Sequence, residues 1–326
     1  MAPPPLVSIV IPAKNASRTI GACLTAIRQH VPAASTEAIV VDNGSTDGTA
    51  SLASEYPVRI ISVPRGFVSK VRNAGARVAS GSIVAFVDAD CTVLPGWYEA
   101  VVSGLSDPGV GVVGSRLAPP EPSTWSQRVW QDAQLKRDAN RRREVPYVPA
   151  GNLALRREVF LSVGGFDERL ETGEDPDLCV RVAHRGYRIV SEASMRSIHL
   201  GEPSSLLHVF RRERWHGRGA RVTYSGGRVA PITMATLAFA GLLGLGVAGL
   251  VLRPIGAPAA ILLAAPLSFV VPLGLALRYR PAGRPWQTLQ LWAVYCAYLL
   301  GRAAALPTVF GRTLSPPRSE ATDVEA

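Results

Sequence analysis

The chain has 326 residues, of which 47% are apolar, and 35 Lys and Arg against 25 Asp and Glu give it a net charge of +10. Its four cysteines, Cys23, Cys91, Cys179 and Cys296, stand far apart with no CxxC pair, which argues against a zinc site and against a disulfide framework. The basic balance does not point to nucleic acid, because arginine crowds the edges of uncharged runs in the last third, a distribution that suits lipid headgroups.

The run Leu6 to Ile11, closed by Pro12, is nearly continuous in apolar character, as a strand covered on both faces reads. It lacks a basic start and is too short for a secretory signal, so the soluble part is expected to stay inside the cell. A helix follows, with Ser17 as its cap and Ile20, Cys23, Leu24 and Ile27 on one face. Glu37 to Asp42 reads as a second strand ending in a carboxylate, and Asn43 to Thr49 as a turn opening another helix. Val58 to Val63 is a third strand, Ser69 to Ala79 a helix carrying Arg72, and Ile83 to Val87 a strand closed by Asp88-Ala89-Asp90. This alternation predicts a parallel α/β sheet. Ligands of such sheets gather beyond the carboxyl ends of strands, and carboxylates two apart on an extended tip can share a hard cation. Asp88 and Asp90 therefore mark a site for a metal-bound nucleotide, with a solvated turn as the alternative.

Gly109 to Gly114 fits GxGxxG, but Asp107-Pro108 precedes it and Pro119-Pro120 follows, so it reads as a glycine-rich strand and not as a dinucleotide fingerprint. No GxxxxGK[ST] loop occurs, which removes a P-loop nucleotidase. Lys136-Arg137 and Arg141-Arg142-Arg143 form a basic knot open between an anionic lipid, an anionic substrate and a solvated helix face. Farther on, Gly164-Gly165-Phe166-Asp167-Glu168 and Gly173-Glu174-Asp175-Pro176 put an acidic cluster at the start of a helix, Asp177 to His184.

Ile232 to Leu252 and Pro254 to Leu277 carry no charge, and each can cross a ~30 Å hydrocarbon layer. A third run, Gln287 to Phe310, holds Arg302 and Pro307 and can span, lie at the interface or pack against the others. Arg211, Arg212, Arg214, Arg218, Arg221 and Arg228 precede the first run, Arg253 follows it, and Arg278, Arg280 and Arg284 follow the second, which orients the amino-terminal domain to the cytoplasm. The boundaries expected are a catalytic domain over 1–204, a basic and aromatic interfacial segment over 205–230, a membrane domain over 231–311 with two to three helices (about 232–252, 255–277 and 287–310), and a disordered tail over 312–326.

VSIVIPAKN (7–15), VVDNGSTDGT (40–49), VRNAGARVASGSIVAFVDAD (71–90), GGFDERLETGEDPDLCVR (164–181) and the later His199 together resemble glycosyltransferase family 2, over about residues 7 to 200. The resemblance implies a GT-A fold, a Rossmann-like α/β domain, here followed by transmembrane helices. It implies that Asp88 and Asp90 hold Mn²⁺ or Mg²⁺ on the diphosphate of a nucleotide sugar, with His199 completing the metal site. Asp42 would contact the base beside Asn43, which stands where the family has a second aspartate. Arg72 would reach a phosphate or base. Glu174 and Asp175 match the family's ED pair, Asp175 being the catalytic base. Phe210 to Trp215 partly resembles the QxxRW element of processive members: Arg214 and Trp215 stand where expected, but Arg211 replaces the glutamine, which favours single-sugar transfer.

The activity implied is an inverting transfer of one sugar from a UDP- or GDP-type donor to a lipid-linked or glycan acceptor, by a multi-pass protein of the inner (plasma) membrane with its catalytic domain cytoplasmic. Polyprenyl-phosphate sugar synthesis is the nearest variant. A sugar nucleotidyltransferase would need a glycine-rich basic triphosphate loop, for which Ala13 to Arg18 is a poor substitute, and a non-catalytic scaffold would not need Asp88, Asp90 and Asp175.

Overall fold

The structure, a computed structural model, describes residues 5–138, 141–218, 224–225, 228–229, 231–253, 258–280 and 285–314. Strand and helix alternate from the start: β1 (Val7–Ala13), α1 (Ile20–His30), β2 (Thr36–Asp42), α2 (Thr49–Ala53), β3 (Arg59–Ser62), α3 (Val68–Val78) and β4 (Ile83–Val87). These four strands are parallel, and every side chain of β4 is buried because both sheet faces are covered. One core holds Ile9, Ile11, Leu24 and Trp97, and the opposite one Val10, Phe86, Phe160 and Phe166. Ser17 does not cap α1. Its amide is given to Asp47 at 3.0 Å, and the helix begins at Ile20 behind Thr19.

The second half departs from the parallel sheet expected. After β5 (Cys91–Val93), α4 (Trp97–Gly104), β6 (Val110–Gly114), α5 (Trp125–Asp138) and β7 (Arg143–Glu144) come β8 (Asn152–Arg156), α6 (Arg157–Ser162), α7 (Glu174–His184), β9 (Arg188–Ser191) and β10 (Ser197–His199). The eight-stranded sheet runs β3-β2-β1-β4-β8-β6-β9-β7, with β8 antiparallel to both β4 and β6. The sheet is mixed, since β8 runs against both its neighbours and β7 runs against β9. β6 is the glycine-rich strand expected at 109–114.

The last third forms α8 (Leu206–His216), α9 (Pro231–Leu252), α10 (Ala264–Ser268), α11 (Val270–Tyr279) and α12 (Pro285–Leu314). Three helical stretches, Pro231–Leu252, Ile261–Tyr279 and Pro285–Pro307, are long and apolar enough to cross a membrane. α12 also covers the soluble domain: Leu291, Val294 and Tyr295 pack with Val129 and Ala133 of α5 and Val209 of α8. The tail expected to be disordered begins with 312–314, which belong to α12, and its remainder lies outside the described residues, as do Arg221, Arg284 and the side chains of Lys136, Arg137 and Arg228.

Candidate active site

β4 delivers Asp88 to its carboxyl end, and the chain turns through Ala89 and Asp90 into β5. β5 pairs antiparallel with β10 in a register that sets His199 opposite Cys91. Two residues 109 positions apart thereby meet, with His199 Nε2 3.1 Å from Asp90 Oδ2, while Nδ1 lies 3.0 Å from Glu202 Oε2. One ligand atom each from Asp90, Cys91 and His199 falls within 4.8 Å of the others. Cys91 is fully buried, and burial pushes its thiol far up, so it stays neutral and packs. Burial alone would raise the Asp90 carboxyl, but the hydrogen bond and charge of His199 hold it below the usual range. Burial likewise favours neutral His199, yet its bonds to Asp90 and Glu202 push the imidazole up to about 10. A divalent ion would compete with that proton for the same lone pairs.

Backbone approaches both carboxylates closely. A Cβ at Gly201 would stand 2.4 Å from Asp90 Oδ2, and one at Gly151 2.7 Å from Asp88 Oδ2. Asp90 and His199, a carboxylate and an imidazole, are donors that suit Mn²⁺ or Mg²⁺, while Asp88 lies outside this cluster with one oxygen on Arg72.

Arg72 of α3 does not reach out for a phosphate. It is 4% exposed, and it donates from Nη2 to Asp88 Oδ1 and from Nη1 to Glu174 Oε1, both at 2.7 Å. Burial would favour the neutral guanidine, but the two carboxylates hold the cation firmly charged. This arginine therefore bridges the Asp88 strand tip and the acidic cluster of α7. That helix starts three residues earlier than the sequence suggests: Gly173, at φ 83°, turns the chain so that Glu174, Asp175 and Asp177 all fall in the first turn, where the helix dipole favours acids.

Glu174 is committed to Arg72, which leaves Asp175 for chemistry. Asp175 Oδ2 accepts the amide hydrogen of Ala150 at 3.3 Å. Burial and the charge of Glu174 push the Asp175 carboxyl up to about 7, against the pull of Arg72. A carboxylate poised near neutrality suits a general base.

Arg72, Asp88, Asp90, Glu174, Asp175, His199 and Glu202 line one cleft of about 2220 Å³. It begins near Lys14, Asn43 and Asp47, passes Asp88, Asp90 and Asp175, and ends among Trp130, Tyr279, Tyr295 and Tyr298 beside α11 and α12. Trp130 packs within 5.6 and 5.8 Å of the Tyr295 and Tyr298 rings, so the far end is aromatic.

A sequence model described as glycosyl transferase family 2 matches residues 8–164. Glycosyltransferase AglE of Haloferax volcanii is 31% identical over 210 residues, which are 61% of this chain and 68% of that protein. The chain belongs to glycosyltransferase family 2. The pre-mycofactocin glycosyltransferase of Mycobacterium tuberculosis is 27% identical over 239 residues, 70% of this chain and 47% of that protein, so this glycosyltransferase spans about half the length of that relative. Among solved structures, the mannosyltransferase PcManGT of Pyrobaculum calidifontis, in complex with GDP-Man and Mn²⁺, superposes with a TM-score of 0.61 at 19% identity, covering 94% of this chain and 88% of that one. The fold is GT-A, and it carries three apolar helices at its carboxyl end.

Not every residue expected at the site of this glycosyltransferase lines it. Asp42 is 7% exposed, accepts the Ser45 amide at 3.2 Å and is not part of the cleft wall. Nor is β2 the neighbour of β4, since β1 lies between them. Asn43 does reach the cleft, with its amide exchanging two hydrogen bonds with the backbone of Gly66, at 2.9 and 3.0 Å. On α8 the cleft is lined by Arg212, Glu213, Trp215 and His216, one face of the helix, so Trp215 lines the cleft while Arg214 is exposed on another side. Sequence reasoning missed Asp47, Glu202 and Arg212. Asp47 ties the Ser17 amide to Thr49 and was legible only as part of a turn, and Glu202 lies three residues beyond His199 with no motif around it.

Proposed function

We propose that this protein is an inverting, metal-dependent glycosyltransferase that moves one sugar from a nucleotide diphospho-sugar to a lipid-linked or glycan acceptor at the cytoplasmic face of the inner membrane. The observation that carries this reading is the single cleft running from Asp88 and Asp90 past Asp175 to the aromatic residues beside α11 and α12. Its far end favours the lipid-linked acceptor: a headgroup held at the interface would enter beside helices long and apolar enough to cross the bilayer. The donor class is supported by PcManGT, which is similar in fold and is in complex with GDP-Man and Mn²⁺.

Asp88, Asp90 and His199 would hold Mn²⁺ or Mg²⁺, which offsets the charge growing on the leaving diphosphate. Arg72 fixes Asp88 and Glu174 in place. Asp175 takes the proton of the acceptor hydroxyl as that oxygen attacks the anomeric carbon opposite the diphosphate, which inverts the configuration. Its negative charge also favours the oxocarbenium-like transition state. Base and ribose would lie at the Asp42–Asn43 strand tip, against Asn43 and Lys14. Arg214 has no place in this scheme, and Trp215 offers a ring face to a sugar.

The polyprenyl-phosphate variant has its own support, because Arg141, Arg143, Arg278 and Arg302 line the cleft and suit an acceptor that is itself a phosphate. Such an acceptor needs no strong base, so activity surviving in Asp175→Asn selects it. The test of the main reading is Asp90→Ala, expected to lose Mn²⁺-dependent thermal stabilisation by UDP- or GDP-sugars while melting as a folded protein. Stabilisation retained in that variant would overturn the assignment.

A further inference from the structure

We infer that Glu202 is a positioning residue for His199, and that a chain of alternating charges passing through α8 makes the metal site depend on the docking of α12. The inference rests on the proposed role of Asp88, Asp90 and His199 as metal ligands. The groups follow one another in space, every link a hydrogen-bonded contact but the one between Arg212 and Glu213, which is a charge contact alone. Asp90 Oδ2 lies 3.1 Å from His199 Nε2, and His199 Nδ1 lies 3.0 Å from Glu202 Oε2. The other oxygen of Glu202 accepts from Arg212 Nη1 at 3.0 Å, and Arg212 Nε approaches Glu213 Oε1 at 3.7 Å. Glu213 Oε2 closes the series on Arg302 Nε of α12 at 2.9 Å.

Each link has a physical reason to matter. Nδ1–H donated to Glu202 fixes the ring in orientation, so that an ion displacing the Nε2 proton now given to Asp90 would find the freed lone pair aimed beside the Asp90 carboxylate, as a metal-ligating imidazole requires. Glu202 in turn is held by Arg212, and Glu213 is only 4% exposed, with an arginine on either side. Removing one buried partner leaves the next charge uncompensated, so a disturbance at one end is felt along the series. Arg302 also explains itself here: a charge inside an apolar helix faces a protein partner and not lipid.

The docking surface is built for close approach. A Cβ at Gly301 would stand 2.5 Å from the Phe210 carbonyl oxygen, and one at Gly217 2.6 Å from Ala305 Cβ, so two glycines let α8 and α12 meet backbone to backbone. The same end of α8 holds the loop before the catalytic pair: Thr172 Oγ1 donates to the His216 carbonyl at 3.2 Å and Arg218 pairs with Glu171 at 2.9 Å. One helix thus supports His199 on one side and the approach to Glu174 and Asp175 on the other.

The test is Mn²⁺ binding, without donor, to the detergent-solubilised full chain, read from the free-ion electron paramagnetic resonance signal. Glu202→Gln is expected to raise the Mn²⁺ Kd by about 10- to 100-fold, as for other outer-shell partners of metal ligands. The double variant Glu213→Gln/Arg302→Met removes both charges of the α8–α12 pair without stranding either, and is expected to raise it by about 2- to 30-fold. Should Glu202→Gln not accumulate as folded protein, Glu202→Asp, which keeps the charge and shortens its reach, is read in the same titration with the same expectation. A Kd unchanged in both Glu202 and double variants, while wild type binds Mn²⁺, overturns this inference alone. Weakening in the Glu202 variant only refutes the dependence on α12. Wild-type protein that binds no Mn²⁺ overturns the metal-site reading beneath it.

Discussion

Arg72→Met tests the bridge on which the site is built. The arginine side chain is 4% exposed and spans Asp88 and Glu174 with two 2.7 Å contacts, while Glu174 is 9% and Asp88 32% exposed. Methionine fills similar volume but leaves both carboxylates without their cation. Asp88 can recover part of its hydration through the cleft, whereas Glu174 cannot, so most of the loss falls on Glu174. Breaking a buried pair from one side destabilises by about 3–5 kcal/mol. At about 2–4 °C per kcal/mol for a domain of this size, the melting temperature should fall by about 6–20 °C. Adding Glu174→Gln removes the stranded charge and should restore about 1–3 kcal/mol, the coupling expected of side chains in direct contact. Thermal unfolding of the detergent-purified full chain, followed by circular dichroism at neutral pH, measures both. An Arg72→Met protein melting within about 2 °C of wild type would refute the reasoning, because that shift corresponds to no more than about 1 kcal/mol. Failure of Glu174→Gln to recover any stability would show that the stranded charge lies elsewhere.

Other outcomes follow from the same geometry. Asp175, held up to about 7, must be ionised to take a proton, so kcat/KM should fall as pH drops through about 7. Folding has the opposite sense: the fold favours the protonated acid, so its stabilising share is complete below the ordinary carboxylate range and is lost as pH rises through about 7. Asp175→Asn should lower kcat by about 10²- to 10⁴-fold and flatten the acidic limb, and a full limb surviving in that variant would place the base elsewhere. Gly201→Ala drives a methyl to 2.4 Å from Asp90 Oδ2 and should raise the Mn²⁺ concentration for half-maximal sugar-nucleotide turnover with little change in melting temperature. An unchanged Mn²⁺ requirement would mean that Asp90 is not a ligand.

Local sequence was enough for the elements of the first half. Short, unbroken apolar runs bounded by turn residues, such as Ile83 to Val87 after Gly81-Ser82, read as strands covered on both faces, and the carboxylates after them fall at strand ends because the apolar run stops there. The uncharged stretches of the last third were equally plain, since a hydrocarbon layer tolerates few alternatives. Pairing between distant segments was not legible. Nothing near Arg72 announces that it holds both Asp88 and Glu174, 16 and 102 positions away, so a free phosphate-binding guanidinium was as good a reading. The antiparallel entry of β8, the turning of Arg214 away from the cleft and the link from Glu202 to Arg302 were equally hidden. Periodicity and turn chemistry act over a few residues and so fix which strand or helix forms. Which side chains then face one another depends on sheet register and helix docking, which are settled by burial and charge pairing between parts of the chain that only folding brings together.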